Sequence, residues 1–394
     1  MAVLGNAMVM QSGGSTPVLN RSLYGIFREA CLHREIGNIY GADHALDGVI
    51  AGRLYDLRGQ SRDEWEAIAA TPGAALGSSR RKLKPDDVPV VLELVERLNI
   101  RYWFIIGGND SADTGNRLSI AARDAGIPLS VINVPKTIDN DLVSMDHTPG
   151  YGSAARFVAI AAMGAGRDAE TMGREAPITV IEVMGRDAGW LAAAGALARR
   201  EERDAPHVVC IPESAVDEDR FVELIEASYR KNGFAVAVVA ENARGKDGVL
   251  GKNKEPWYVD DFGHAYYEGA GRHLASLVGM RLRVRVRYEK PGTIQRSMAS
   301  TYSTADTSEA EIAGRAAVKA AIAGETGKIV TLLREQGSGY QCTTGLALLM
   351  EVANAVKRMP AEYYDPATCF PTAKFIEYAM PLVGESLPRF GRVR

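Results

Sequence analysis

Six short apolar runs, each ending at a turn that contains Gly, Pro or Asp, constrain this chain more than any other feature. They are residues 7–10 before QSGG, 103–106 before GGNDS, 129–134 before PKTIDND, 178–183 before MGRDAG, 208–211 before PES and 235–240 before ENARG. These runs are rich in Val and Ile, and they do not alternate apolar with polar. That pattern predicts strands covered on both faces, as in a parallel sheet packed between helices. Segments with helical spacing lie among them, at 86–98, 113–125, 153–169, 189–199 and 219–232. Strand and helix in alternation imply right-handed crossovers and a doubly wound α/β fold, in which ligands sit outside the carboxyl ends of the strands.

Two stretches read differently. RLRVRVRY, at 281–288, alternates strictly, as a strand with one wet, basic face does. After Ser308 the spacing is mostly helical, at 309–323 and 345–358, around one more apolar run at 329–333. We expect two packed lobes with mainly parallel sheets and a soft boundary near 138–152. Residues 1–140 form the first lobe, 141–310 the second, and 311–394 a mostly helical part that returns to both.

Composition narrows the function. With 46 basic and 49 acidic side chains and a net charge of −3, the chain has no block of like charge suited to nucleic acid or an anionic membrane. Its four cysteines are far apart in sequence, which excludes a CxxC metal or redox pair. No apolar run approaches the roughly 20 residues of a membrane helix, and the first residues do not form a signal peptide. A soluble cytoplasmic protein is expected.

The chemistry is concentrated in the loops after the strands. In GGNDS, Gly107 and Gly108 let the backbone approach a bulky anion, and the following helix offers its N–H groups. Asp110 adds a carboxylate of the kind Mg²⁺ accepts, although a helix cap would also account for it. In PKTIDND, Asp139 and Asp141 are two residues apart, so in an extended segment both carboxylates point one way. One carboxylate could take a proton from an attacking hydroxyl while the other helps to hold a metal. Lys136 could neutralise charge on a transferred group. QSGGSTP pairs Gly13 with Gly14 between a strand and a helix, LGSSRRK combines hydroxyls with two arginines, and MGRDAG supplies Arg186. Arg296 follows the basic run, and Glu241 ends an apolar one. GYGSAA at 150–155 fits a loose dinucleotide pattern, but no apolar strand precedes it, so that reading is rejected, and no Walker sequence occurs.

In this order, SGG, LGSSR, GGNDS, TIDND, MGR, PE, a strand-end Glu and IQR, the motifs resemble the phosphofructokinase family over roughly residues 7–303. The resemblance implies Mg²⁺-dependent phosphoryl transfer to the 1-hydroxyl of fructose 6-phosphate. It further implies that Asp139 is the general base, that Thr137, Ile138 and Asp139 contact the acceptor, and that Asn109 and Asp141 serve the metal. By the same correspondence Gly14 meets the donor phosphate, while Met184, Gly185 and Arg186 hold the sugar phosphate and the transition state. Glu241 binds sugar hydroxyls and Arg296 the 6-phosphate. Arg287 stands where a neighbouring subunit lends an arginine, which implies a homodimer or homotetramer.

Two positions choose the donor. ATP-using members of that family read GGDGS and PGTIDND, whereas here Asp110 and Lys136 replace the two glycines. A carboxylate at 110 repels the α-phosphate of a nucleotide, and a lysine at 136 meets the departing phosphate of pyrophosphate. The expected donor is therefore pyrophosphate, the alternative being ATP. Asn109 replaces a metal-linked aspartate, Thr293 a His or Tyr, and Ser297 with Met298 two glycines. These departures leave room for sedoheptulose 7-phosphate as a further acceptor.

Overall fold

Every one of the six apolar runs forms a strand. In the computed structural model, which describes residues 4–251, 258–259, 263, 265–266, 269–337 and 339–393, β1 (Gly5–Gln11) sits inside a seven-stranded sheet. Parallel to it run β2 (Ile36–Ala42) on one side and β4 (Ile100–Gly107) on the other. β3 (Leu54–Asp56) closes one edge antiparallel to β2, and β5 (Ser130–Pro135) lies beyond β4. The chain returns late to finish this sheet. The Lys328–Arg334 strand pairs parallel with β5, and Cys342–Leu348 pairs antiparallel with it at the far edge. A second, four-stranded sheet is wholly parallel, in the order Val286–Glu289, β6 (Ile178–Val183), β8 (Ala235–Ala240), β7 (Val208–Cys210).

The lack of alternation in the strands has a direct cause. In β1, Ala7 and Val9 pack with the Leu19–Ala30 helix and with alanines of the Thr304–Ile322 helix, while Met8 and Met10 face the opposite core under the Val88–Arg97 helix. Successive side chains thus enter two different cores, and each must be apolar. β8 behaves in the same way: Val236, Val238 and Ala240 join one core, and Ala235, Ala237 and Val239 another. The mainly parallel α/β architecture read from the sequence is the observed one.

Two local expectations are corrected. RLRVRVRY is not one strand: its first two residues end the Ala270–Leu282 helix, Arg283 turns through φ 54°, and the strand starts only at Val286. The left-handed Arg283 resets the direction of the side chains, which a pattern of period two cannot reveal. The helical spacing at 345–358 also misleads. The Cys342–Leu348 edge strand occupies its start and a four-residue helix, Leu349–Val352, follows. An edge strand half open to solvent mixes Leu, Ala and Thr much as a surface helix does.

Candidate active site

The carboxyl ends of the two sheets face each other across a cavity of about 430 Å³. From the seven-stranded sheet come Gly13–Thr16 after β1, Gly108–Ser111 after β4, and Lys136–Asp139 with Asp141 after β5. From the four-stranded sheet come Met184, Arg186 and Asp187 after β6, Glu241 and Asn242 after β8, and Lys290 and Arg296 after the Val286–Glu289 strand. This is the placement expected of a doubly wound sheet.

The glycines are set by close approach. Gly13 adopts φ 81°, and its N–H donates to Ser79 O at 3.0 Å. A Cβ at Gly14 would come within 2.5 Å of the Arg296 guanidinium, so a side chain there would push that arginine out of its place. Beneath this loop, Lys136 is nearly buried, and its Nζ donates to Gly14 O at 2.6 Å. Burial, then the nearby Arg296 and Arg186, push the Lys136 pKa down to about 7 against the opposing pull of Asp139. On the other flank, Gly108 precedes the Asn109–Asp124 helix, and Asn109 Oδ1 accepts from the Asp110 N–H at 2.8 Å.

Asp139 and Asp141 are both buried and both line the cavity. Their shared direction does not come from an extended strand, because β5 ends at Pro135 and Asn140 between them adopts φ 57°. Asp139 lies 3.6 Å from Arg186 Nε, and its N–H donates to Thr137 Oγ1 at 3.1 Å. Burial first, and the Asp139 carboxylate second, push Asp141 up to about 6. Two acids crowded in this way form an oxygen-rich position that a divalent cation would relieve. Among the described residues, no three acidic groups of the cavity converge within 4.8 Å of one another. Such a donor set fits Mg²⁺, which takes one or two carboxylates and completes its shell with water and substrate phosphate.

Arg186 is presented by a strained turn. Gly185 has φ 136° and Arg186 φ 50°, and the Arg186 N–H donates to Glu241 Oε1 at 3.0 Å. Burial raises the pKa of Glu241. Met184 N–H is held by Gln295 Oε1 at 3.3 Å, which explains how a buried glutamine in IQR orders the loop opposite.

Asn109, Asp110, Lys136, Thr137, Ile138, Asp139, Asp141, Gly14, Met184, Arg186, Glu241 and Arg296 thus converge on one cavity. Gly185 shapes the turn without lining it. Arg287 does not enter: it sits on the Val286–Glu289 strand in an ion pair with Asp168. Of the two arginines in LGSSRRK, Arg80 lines the cavity, whereas Arg81 pairs with Asp87 at 2.7 Å. Thr293 is exposed and is not part of the lining.

Glu182 and Lys290 were missed from the sequence. The Glu182 side chain is fully buried and meets Lys290 Nζ at 2.8 Å, while its other oxygen accepts from Gly271 N–H at 2.9 Å. An acid inside an otherwise apolar strand was the available signal, since such a group needs a partner. His147, Glu309 and Cys342 also gather, away from the cavity lining. Both His147 ring nitrogens are engaged there, with Asp146 at 2.8 Å and Glu309 at 2.7 Å. Burial would lower the His147 pKa, but these two hydrogen bonds outweigh it and raise it. The His147 ring is therefore held between two carboxylates. No helix among the described residues is long and apolar enough to cross a membrane.

The phosphofructokinase profile matches residues 6–321. Among curated proteins, the chain is 36% identical over 396 aligned positions to pyrophosphate–fructose 6-phosphate 1-phosphotransferase of Halomonas elongata, covering 98% of this chain and 93% of that protein. It is 35% identical to the protein of the same name from Rhodospirillum rubrum, covering 99% and 97%. Among solved structures, pyrophosphate-dependent phosphofructokinase from Marinobacter aquaeolei superposes with a TM-score of 0.88 at 34% identity, covering 98% of this chain and 94% of that one.

Proposed function

The chain belongs to the phosphofructokinase family, and from that premise we propose that it transfers a phosphoryl group from pyrophosphate to the 1-hydroxyl of fructose 6-phosphate. The products are fructose 1,6-bisphosphate and orthophosphate, and the reaction is reversible. The observation that carries the choice of donor is the position of Lys136 and Asp110. Both line the cavity beside Gly13 and Gly14, with the Lys136 ammonium against the Gly14 carbonyl.

In this reading Asp139 accepts the proton of the 1-hydroxyl as the sugar oxygen attacks phosphorus. The bond between that phosphorus and the bridging oxygen of pyrophosphate breaks, and the electron pair leaves with orthophosphate. Arg186 and Lys136 face the transferred group and the departing phosphate, where fixed positive charge stabilises the transition state. Asn109 and Asp141 would hold Mg²⁺, which when bound offsets charge on the phosphate oxygens. Glu241 and Met184 position the sugar, and Arg296 takes its phosphate. Lys290, tethered by Glu182, adds a cation on the same side. Arg287 stands outside its own cavity and is assigned to the site of a neighbouring copy in a homodimer or homotetramer. Thr293 is exposed and outside the lining, so it gives no support to sedoheptulose 7-phosphate as a second acceptor, and the setting is cytoplasmic glycolysis.

Phosphorus NMR on purified protein with fructose 6-phosphate, Mg²⁺ and pyrophosphate tests this. Orthophosphate and the 1-phosphate of the bisphosphate should rise in equal amounts. Orthophosphate appearing alone, as in simple hydrolysis, would refute the transfer.

A further inference from the structure

The segment 357–359 lies well beyond the residues matched by the family profile, yet it reaches both halves of the site. The Lys357 ammonium donates to Asp146 O at 2.7 Å, and to Met145 O and Asn140 Oδ1 at 3.3 Å each. Its three donors are thus spent within residues 140–146. The Lys357 backbone N–H donates to Asp141 O at 2.7 Å. Asn140, the left-handed residue between the two acids, is gripped at the other end of its amide as well: Nδ2 donates to Tyr378 OH at 2.9 Å. A non-glycine residue stays in that conformation where its surroundings fix it, and here the fixing groups come from the C-terminal part.

The same segment holds the opposite loop. Lys357 Nζ lies 5.0 Å from the Trp190 ring, and the Trp190 indole N–H donates to Lys357 O at 3.3 Å. Two residues on, Met359 N–H donates to Glu213 Oε1 at 3.0 Å, the same oxygen that accepts from Gly189 N–H at 3.0 Å. Gly189 and Trp190 follow directly on the turn that presents Arg186.

We propose that Lys357 is a positioning residue for phosphoryl transfer, locking the kink at Asn140 so that Asp139 and Asp141 face Arg186 across the cavity. This rests on the reading of Asp139 as proton acceptor. It concerns geometry: Lys357 touches neither substrate, and its loss should leave sugar binding in place while the acids drift.

The test is Lys357→Met, assayed with pyrophosphate and fructose 6-phosphate. The expected result is a fall in kcat of about 10–100-fold, since small misplacements of a reacting group have effects of that size. Calorimetric binding of fructose 6-phosphate should stay within about twofold, showing that ground-state binding is kept. Lys357→Arg, which keeps the charge, should restore part of the rate. Adding Lys357→Met to Asp139→Ala should cause no further loss, because the lysine acts through that acid. If the methionine variant does not fold, Lys357→Gln, which keeps a donor, is read by the same criteria. A kcat within about twofold of the parent, a loss of sugar-phosphate binding alongside the rate, or an equal further loss in the Asp139→Ala background would each overturn the proposal. A parent protein inert with pyrophosphate would overturn the functional reading and this proposal together. An active parent with an equally active Lys357→Met variant would overturn only this proposal.

Discussion

The two walls of the cavity are built from different materials. The wall from the seven-stranded sheet combines close-approaching backbone at Gly13, Gly14 and Gly108 with one buried lysine and the acids Asp110, Asp139 and Asp141. The wall from the four-stranded sheet carries charged side chains on loops that other side chains hold in place. Glu182 holds Lys290, Glu241 holds the Arg186 N–H, and Gln295 holds Met184. Backbone grips any phosphate at close range, so under the proposed function the choice of donor falls to two of those side chains, Asp110 and Lys136. On the sugar side the choice is spread over a network, and single changes there should shift affinity more than they shift chemistry.

That contrast can be broken most sharply where the walls meet. Asp139→Ala should lower kcat by about 10²–10⁴-fold, the usual worth of a general base, with binding of fructose 6-phosphate retained in calorimetry. Equal losses of rate and binding would mean that the acid belongs to the sugar wall instead. Next in size is the donor wall. Asp110→Gly combined with Lys136→Gly should cut pyrophosphate turnover by about 10²–10³-fold, the range seen when one fixed charge stabiliser is removed, while ATP turnover appears. On the sugar wall, Lys290→Ala should raise KM for fructose 6-phosphate by about tenfold, as expected for one charge-assisted hydrogen bond, with kcat nearly unchanged. A drop in kcat at constant KM would erase the distinction between the walls.

The smallest effect is one of pH and belongs to Lys136. In the folded protein its pKa is pushed down to about 7, below the ordinary 10.5 of an unfolded lysine. Between those values the unfolded chain holds the extra proton, so stability should rise as pH climbs from 7 towards 10.5, and Lys136→Met should flatten that slope in denaturant titrations. Pyrophosphate favours the charged amine. Its binding should therefore take up protons at pH 8 and hardly any at pH 6, measured by calorimetry in buffers of different ionisation heat. Equal uptake at both would place the lysine outside the donor wall.

The donor wall was also the more legible of the two in the sequence. Its loops follow strands buried on both faces, and runs such as β1 and β4 announce both strand and loop within a few residues. The sugar wall hides its logic in pairs distant along the chain. Glu182 and Lys290 meet across adjacent strands, and neither carries a local motif. The reading of RLRVRVRY as one strand failed because a single left-handed residue, Arg283, ends one element and starts another. Asp139 and Asp141 were paired correctly for the wrong reason: a kink at Asn140, not a pleat, turns both inward. Lys357 was invisible for a related cause, since its partners are mostly backbone carbonyls, which leave no trace in residue type.

Pyrophosphate as donor is the central claim, and a direct comparison of kcat/KM for pyrophosphate and for ATP, at saturating fructose 6-phosphate and Mg²⁺, tests it most directly. Asp110 and Lys136 predict that pyrophosphate is preferred by about 10²-fold or more, the scale of one misplaced or missing charge in such a site. A higher kcat/KM for ATP would contradict the account.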